Sequence, residues 1–100
     1  MQTAADNIMM MSDKEKFYSV VNQFDFLKPF WDQKAHEIRY KSLEERLGTM
    51  SSGEMFLAKF MANVWFHQDE YPFSLIDAMG TLCGDFKEVI EDWVKSPYWP

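Results

Sequence analysis

The residues of this chain that could support metal or redox chemistry are two histidines and one cysteine. His36 opens the segment His-Glu-Ile-Arg-Tyr, which lacks the second histidine of the zinc motif H-E-x-x-H. His67 precedes the carboxylates Asp69 and Glu70 in a spacing that matches no motif with a known mechanism. Cys83 alone supplies neither an internal disulfide, nor a CxxC motif, nor a four-ligand zinc site. We therefore predict no metal site and no cofactor.

Nucleophilic catalysis needs an activated side chain beside a base, and the sequence offers no such pattern. Cys83 follows an apolar segment and has no basic neighbour that would favour its thiolate form. The four glycines are dispersed and form no phosphate-binding loop. We predict no catalytic residues and no enzymatic activity. The alternative left open is a site assembled from residues that are distant in sequence.

The charge balance bears on nucleic-acid binding. Sixteen carboxylates outnumber ten lysines and arginines, and the formal charge of −6 opposes phosphate backbones and anionic lipid. Residues 74–82 and 85–95, joined by a tight turn, have the lengths of a helix-turn-helix. However, residues 74–100 hold five carboxylates and two lysines, a formal charge of −3, where arginine, lysine, asparagine or glutamine would read DNA. We predict no direct contact with nucleic acid.

Two alternative interpretations of the chain stay open. The first is an acidic mimic of nucleic acid that occupies a basic groove on a partner protein. The second is a DNA-associated helix-turn-helix protein. Against the mimic, a net charge of this size is common among soluble proteins and favours solubility without any special role.

Two kinds of surface are better candidates for contact with a partner protein. Aromatic side chains flank Pro72 and follow Pro97, and aromatic residues are enriched at protein interfaces. Carboxylates lie on the face of the last predicted helix that is opposite its apolar residues. The predicted partner-binding residues are Tyr71, Phe73, Glu88, Glu91, Asp92, Tyr98 and Trp99. For the C-terminal aromatic residues, the alternative is that they fold back and cap the protein's own core.

Two helix starts carry a specific signal. Ser12 with Glu15, and Ser51 with Glu54, match the capping box S-x-x-E, in which the two residues satisfy free N–H groups of the first turn. The helix after Ser12 should end near Lys28, before a proline. The helix over about residues 52–66 is apolar around most of its circumference, so we predict that it is central and that its Phe60 and Trp65 are nearly fully buried.

Three further helices are predicted from capping residues and apolar spacing. They should run from about Asp32 to Leu47, from about Ser74 to the turn at Cys83, and from Asp85 to the stop before Pro97. No segment alternates apolar and polar residues for long enough to demand a strand. We predict an all-α fold: one compact orthogonal bundle of four to five helices around the central apolar helix.

The predicted domain spans residues 12–100, and residues 1–11 are predicted to be a flexible N-terminal tail. The longest uncharged run covers nine residues, 60–68, too few for a membrane span, and no export signal is visible. With a single cysteine, these features indicate a cytoplasmic protein. We predict a small acidic interaction protein, a regulator, adaptor or inhibitor that docks on another protein; self-association as a homodimer is left open.

Overall fold

The computed structural model describes residues 11–100 and contains five α-helices and one short hairpin in this range. A 3₁₀ turn, Lys28–Phe30, leads into two antiparallel strands, β1 (Trp31–Asp32) and β2 (Glu37–Ile38). The predicted helical class is confirmed. The predicted tail, apart from Met11, lies outside the described residues. The helices are α1 (Asp13–Gln23), α2 (Tyr40–Leu47), α3 (Ser52–Phe66), α4 (Leu75–Thr81) and α5 (Gly84–Lys95).

Both capping boxes form as predicted. The Ser12 hydroxyl accepts a hydrogen bond from the backbone N–H of Glu15 at 3.1 Å, and the Glu15 carboxylate accepts one from the backbone of Ser12. Ser51 and Glu54 repeat this pair of bonds at 3.2 and 3.0 Å. Each box satisfies N–H groups that the first helical turn leaves free, so α1 and α3 begin where the sequence places them.

The predicted helix over 32–47 is wrong in its first half, which forms the hairpin instead. The Asp32 carboxylate accepts hydrogen bonds from the backbone N–H groups of Lys34 and Ala35 and so closes the hairpin turn. His36 then takes a left-handed conformation with φ of 55°, and a right-handed helix cannot continue through such a residue. Helix α2 starts only at Tyr40. An aspartate that can cap a helix can equally close a turn, so its presence alone did not decide between them.

Helix α3 is central, as predicted, and packs against both α4 and α5. Phe60 is 8% exposed, which confirms its predicted burial. Trp65 is only partly buried, so the prediction for this residue is wrong. It lies one residue from the end of α3 and packs under the hairpin turn, with its ring 4.6 Å from the ring of His36. No helix within residues 11–100 has the length and apolar character needed to cross a membrane.

Candidate functional site

A cleft of about 370 Å³ opens on the surface where α3, the loop before α4, the end of α5 and the C-terminal residues meet. We call it the aromatic cleft. Most of its lining is apolar, and its charged lining residue is Asp69, on the loop between α3 and α4. Concave, largely apolar sites bind small molecules, and apolar grooves also bind the apolar faces of partner segments. The apolar side chains that line it are Phe60, Val64, Phe73, Leu75, Trp93, Val94 and Trp99.

A series of aromatic rings in contact with one another forms one side of the aromatic cleft. Phe60 packs against Phe73 with ring centroids 5.7 Å apart, and edge to face against Trp93 at 5.5 Å. Trp93 in turn meets Trp99 edge to face at 5.0 Å. Aromatic pairs at such distances favour tilted and edge-to-face arrangements. The series runs from a buried phenylalanine outward to Trp99, which is 49% exposed.

The C-terminal residues fold back on the domain through three hydrogen bonds. The indole N–H of Trp93 donates to the backbone oxygen of Tyr98 at 3.0 Å. The backbone N–H of Trp99 donates to the Asp13 carboxylate at 3.0 Å, and a ring nitrogen of His67 lies 2.9 Å from the backbone oxygen of Pro100. These bonds hold the Trp99 backbone, so its indole has a defined place beside the cleft.

Tyr98 and Trp99 are neighbours with different roles. The Tyr98 side chain is buried, and burial raises the pKa of its phenol to about 12, with the nearby charge of Asp92 adding to the shift. Tyr98 caps the core, which was the alternative considered for this segment, whereas the indole of Trp99 remains accessible.

Tyr71 and Phe73 differ in the same way: the first is buried in the fold and the second lines the cleft. Asn63, buried on α3, donates from its amide to the Tyr71 backbone oxygen at 3.0 Å and accepts from the Tyr71 backbone N–H at 2.8 Å. The Tyr71 side chain is buried as well, and its phenol donates to Glu44 at 3.1 Å. Burial and this hydrogen bond raise its pKa to about 12. Tyr71 thus anchors the loop, and Phe73, two residues further on, lines the aromatic cleft.

The three predicted carboxylates, Glu88, Glu91 and Asp92, are exposed on α5. Glu91 lines a second, smaller depression of about 230 Å³, whose remaining lining is apolar. This adjoining depression shares Leu75 and Val94 with the aromatic cleft. The two sites therefore form one continuous apolar surface that ends in a carboxylate on the α5 side.

Leu75 and Val94 were missed as site residues by the sequence analysis. They are 49% and 55% exposed, although the helical spacing of apolar residues places each of them on the apolar face of its helix. Their helical spacing was the available signal, but spacing identifies an apolar face without showing whether another element covers it.

The negative charge is concentrated on the part of the chain that supplies most of the cleft lining. Residues 67–100 contain seven carboxylates and two lysines, a formal charge of −5. Residues 11–66 contain eight carboxylates and eight lysines or arginines, so this part is formally neutral. Among the described residues that line the cleft and the adjoining depression, none is lysine or arginine.

The other polar side chains at the cleft are engaged within the protein. Both ends of the Asn63 amide bond to the Tyr71 backbone, a His67 ring nitrogen meets Pro100, and the Gln68 amide donates to Glu70 at 2.7 Å. Within residues 11–100, no group of three or more histidine, cysteine, aspartate or glutamate side chains is placed to hold a metal ion. The chemistry that the site offers is therefore apolar contact beside negative charge.

Comparison with protein-family models, with curated proteins and with solved structures finds no match to this chain.

Proposed function

We propose that this protein is a non-enzymatic interaction protein, a small regulator, adaptor or inhibitor that docks another protein in the aromatic cleft. One observation carries the proposal. Of the five large hydrophobic side chains that are exposed within residues 11–100, three, Leu75, Val94 and Trp99, line this one cleft. Single exposed apolar side chains are common, whereas contiguous ones mark interaction surfaces.

The arrangement of Trp99 also supports docking. Its backbone is held by the Asp13 carboxylate and its ring meets that of Trp93 edge to face, while about half of its surface stays exposed. A large aromatic side chain that is held in place loses little conformational freedom on binding, which is typical of interface hot spots. We also propose that the protein is cytoplasmic, which is supported by its single cysteine, Cys83, being free and exposed, as is usual in a reducing compartment.

Replacing Trp99 with alanine is expected to weaken partner binding by about 30-fold, mainly through faster dissociation, because a hot-spot contact is lost. The measurement is affinity capture from the native cell with the full chain as bait, followed by binding kinetics on the captured protein. Tyr40→Ala is the matched control, since Tyr40 is similarly exposed, at 47%, and lies outside the cleft. A partner that binds both variants like the unmodified protein would contradict docking at the cleft.

A second candidate function is the acidic mimic of nucleic acid. It is favoured by the formal charge of −5 on residues 67–100. The same Trp99 experiment separates the two proposals. A mimic that meets a basic groove through charge should keep most of its affinity in Trp99→Ala and lose it as salt is raised, because exposed charges are screened over about 8 Å at physiological ionic strength.

Duplex DNA is expected not to bind specifically at about 150 mM salt, because phosphate contacts need a basic surface. Helices α4 and α5 have the order of a helix-turn-helix, but α5 exposes Glu88, Glu91 and Asp92. An electrophoretic mobility-shift assay across a pool of random duplex sequences, repeated at lower salt, measures this. A tight complex that depends on sequence at physiological salt would instead support the DNA-associated alternative.

A further inference from the structure

We infer that the occupant of the cleft is a basic amphipathic segment of the partner protein, whose apolar side chains enter the aromatic cleft and the adjoining depression while its lysines or arginines face Asp69 and Glu91. This inference rests on the proposed function and specifies the chemistry of the partner. Its basis is the pairing of two joined apolar sites with negative charge at both of them.

The surface offers two apolar depressions side by side. The aromatic cleft and the adjoining depression, about 370 and 230 Å³, meet at Leu75 and Val94. Two neighbouring depressions suit a segment that presents two apolar side chains on one face. An amphipathic helix does so with anchors three, four or seven residues apart, which is a recurring way of filling an apolar groove.

The charge at both depressions is negative. Asp69 lines the aromatic cleft and Glu91 lines the adjoining depression. Both residues are exposed, and within residues 11–100 neither carboxylate is joined to a lysine or arginine in an ion pair. The whole segment 67–100 carries a formal charge of −5. Such a surface accelerates the approach of a cationic segment and fixes its orientation more than it adds affinity.

The same charge disfavours the other occupants. A second copy of this chain would bring a segment of charge −5 against a segment of charge −5, because a symmetric dimer apposes the same patch on both subunits. Anionic lipid and nucleic acid would be repelled in the same way. Of the macromolecular surfaces that could cover the cleft, a basic and apolar protein segment is the complementary one.

The test uses two synthetic helical peptides of about four turns, one of leucine and lysine and the other with glutamate in place of every lysine. Each is titrated against the full-length protein by isothermal calorimetry and stopped-flow tryptophan fluorescence. The lysine peptide is expected to bind and the glutamate peptide is not. Raising salt from about 50 to about 300 mM should slow association of the lysine peptide by about tenfold or more, because the charges are screened.

Three variants assign the binding to the cleft. Trp99→Ala should speed dissociation of the lysine peptide by about 30-fold. Asp69→Asn combined with Glu91→Gln should slow association several-fold. The matched control, Glu37→Gln combined with Glu45→Gln, removes two exposed carboxylates from the neutral part of the chain and should leave both rates unchanged. Thermal melting of each variant shows that the fold is kept.

The inference is overturned if the lysine peptide does not bind, if both peptides bind equally, or if the control pair loses as much affinity as the cleft pair. The inference is also overturned if the lysine peptide dissociates from Trp99→Ala as slowly as from the unmodified protein, since charge alone would then hold the peptide. The proposed function fails separately, when a partner captured from the cell binds Trp99→Ala like the unmodified protein. A captured partner that depends on Trp99 but binds independently of salt would keep the proposed function and reject a basic occupant.

Discussion

Replacing Phe60 with alanine is expected to lower the free energy of unfolding by about 3 to 5 kcal/mol, the usual cost of truncating a buried aromatic side chain. Phe60 is 8% exposed at the centre of α3 and its ring contacts both Phe73 and Trp93. The loss combines apolar surface returned to water with the cavity left between these two rings. Urea unfolding followed by circular dichroism measures it.

Ile76→Ala is the control for this prediction. Ile76 is 85% exposed, so its truncation should change the unfolding free energy by no more than about 0.5 kcal/mol. If Phe60→Ala costs less than about 1 kcal/mol, α3 does not organise the core and the architecture described above is wrong.

The second large effect is expected at Asn63. Asn63→Ala should cost about 2 to 6 kcal/mol, because it leaves the buried N–H and C=O of Tyr71 without the partners they have in the fold, at about 1 to 3 kcal/mol for each unsatisfied group. Urea unfolding gives the free energy, and amide hydrogen exchange over residues 67–73 shows whether the loop opens.

The control for Asn63 is Asn22, another asparagine that bonds through its side chain. Its amide pairs with that of Gln33 on the surface, where water replaces a lost hydrogen bond at little cost. Asn22→Ala should therefore change the unfolding free energy by about 0.5 kcal/mol or less. Equal costs at Asn63 and Asn22 would contradict the view that the buried amide anchors the loop.

The hydrogen bonds between the Asn63 amide and the Tyr71 backbone should affect both stability and partner binding. The Asn63 amide holds Tyr71, and Phe73 on the same loop lines the aromatic cleft. A variant that frees the loop should loosen the cleft even where the protein still folds. Binding of the lysine peptide to Asn63→Ala, measured well below its melting temperature, should therefore weaken, although Asn63 is the one cleft-lining side chain that has changed and the apolar side chains and carboxylates proposed as contacts are kept.

The sequence by itself determined the features that depend on neighbours a few residues apart. The capping boxes at Ser12 and Ser51 place the starts of α1 and α3, because their hydrogen bonds join residues three apart and need nothing else. The apolar circumference of residues 52–66 determined that α3 is central, since a helix with almost no polar face has to be covered on most sides.

The prediction of a helix over 32–47 is wrong in its first half, because the local sequence there is compatible with both a helix start and a hairpin turn. Asp32 could have capped a helix, but in the fold its carboxylate closes a hairpin turn and is joined to Arg39 by an ion pair of 3.6 Å. The hairpin is then held by contacts from elsewhere in the chain: the ring of Trp31 packs against Phe17 and Trp65. Such packing lies outside any local pattern.

The candidate site was decided almost entirely by the tertiary structure. Composition marked Tyr71, Phe73, Tyr98 and Trp99 alike, since all four are aromatic residues close to prolines. Partners distant in sequence separate them: Asn63 and Glu44 hold Tyr71 within the fold, and Asp13 holds the backbone of Trp99 while its indole stays open. Helical spacing alone does not show that Leu75 and Val94 lie side by side without cover, because exposure depends on which elements pack over a face, and that depends on the whole chain.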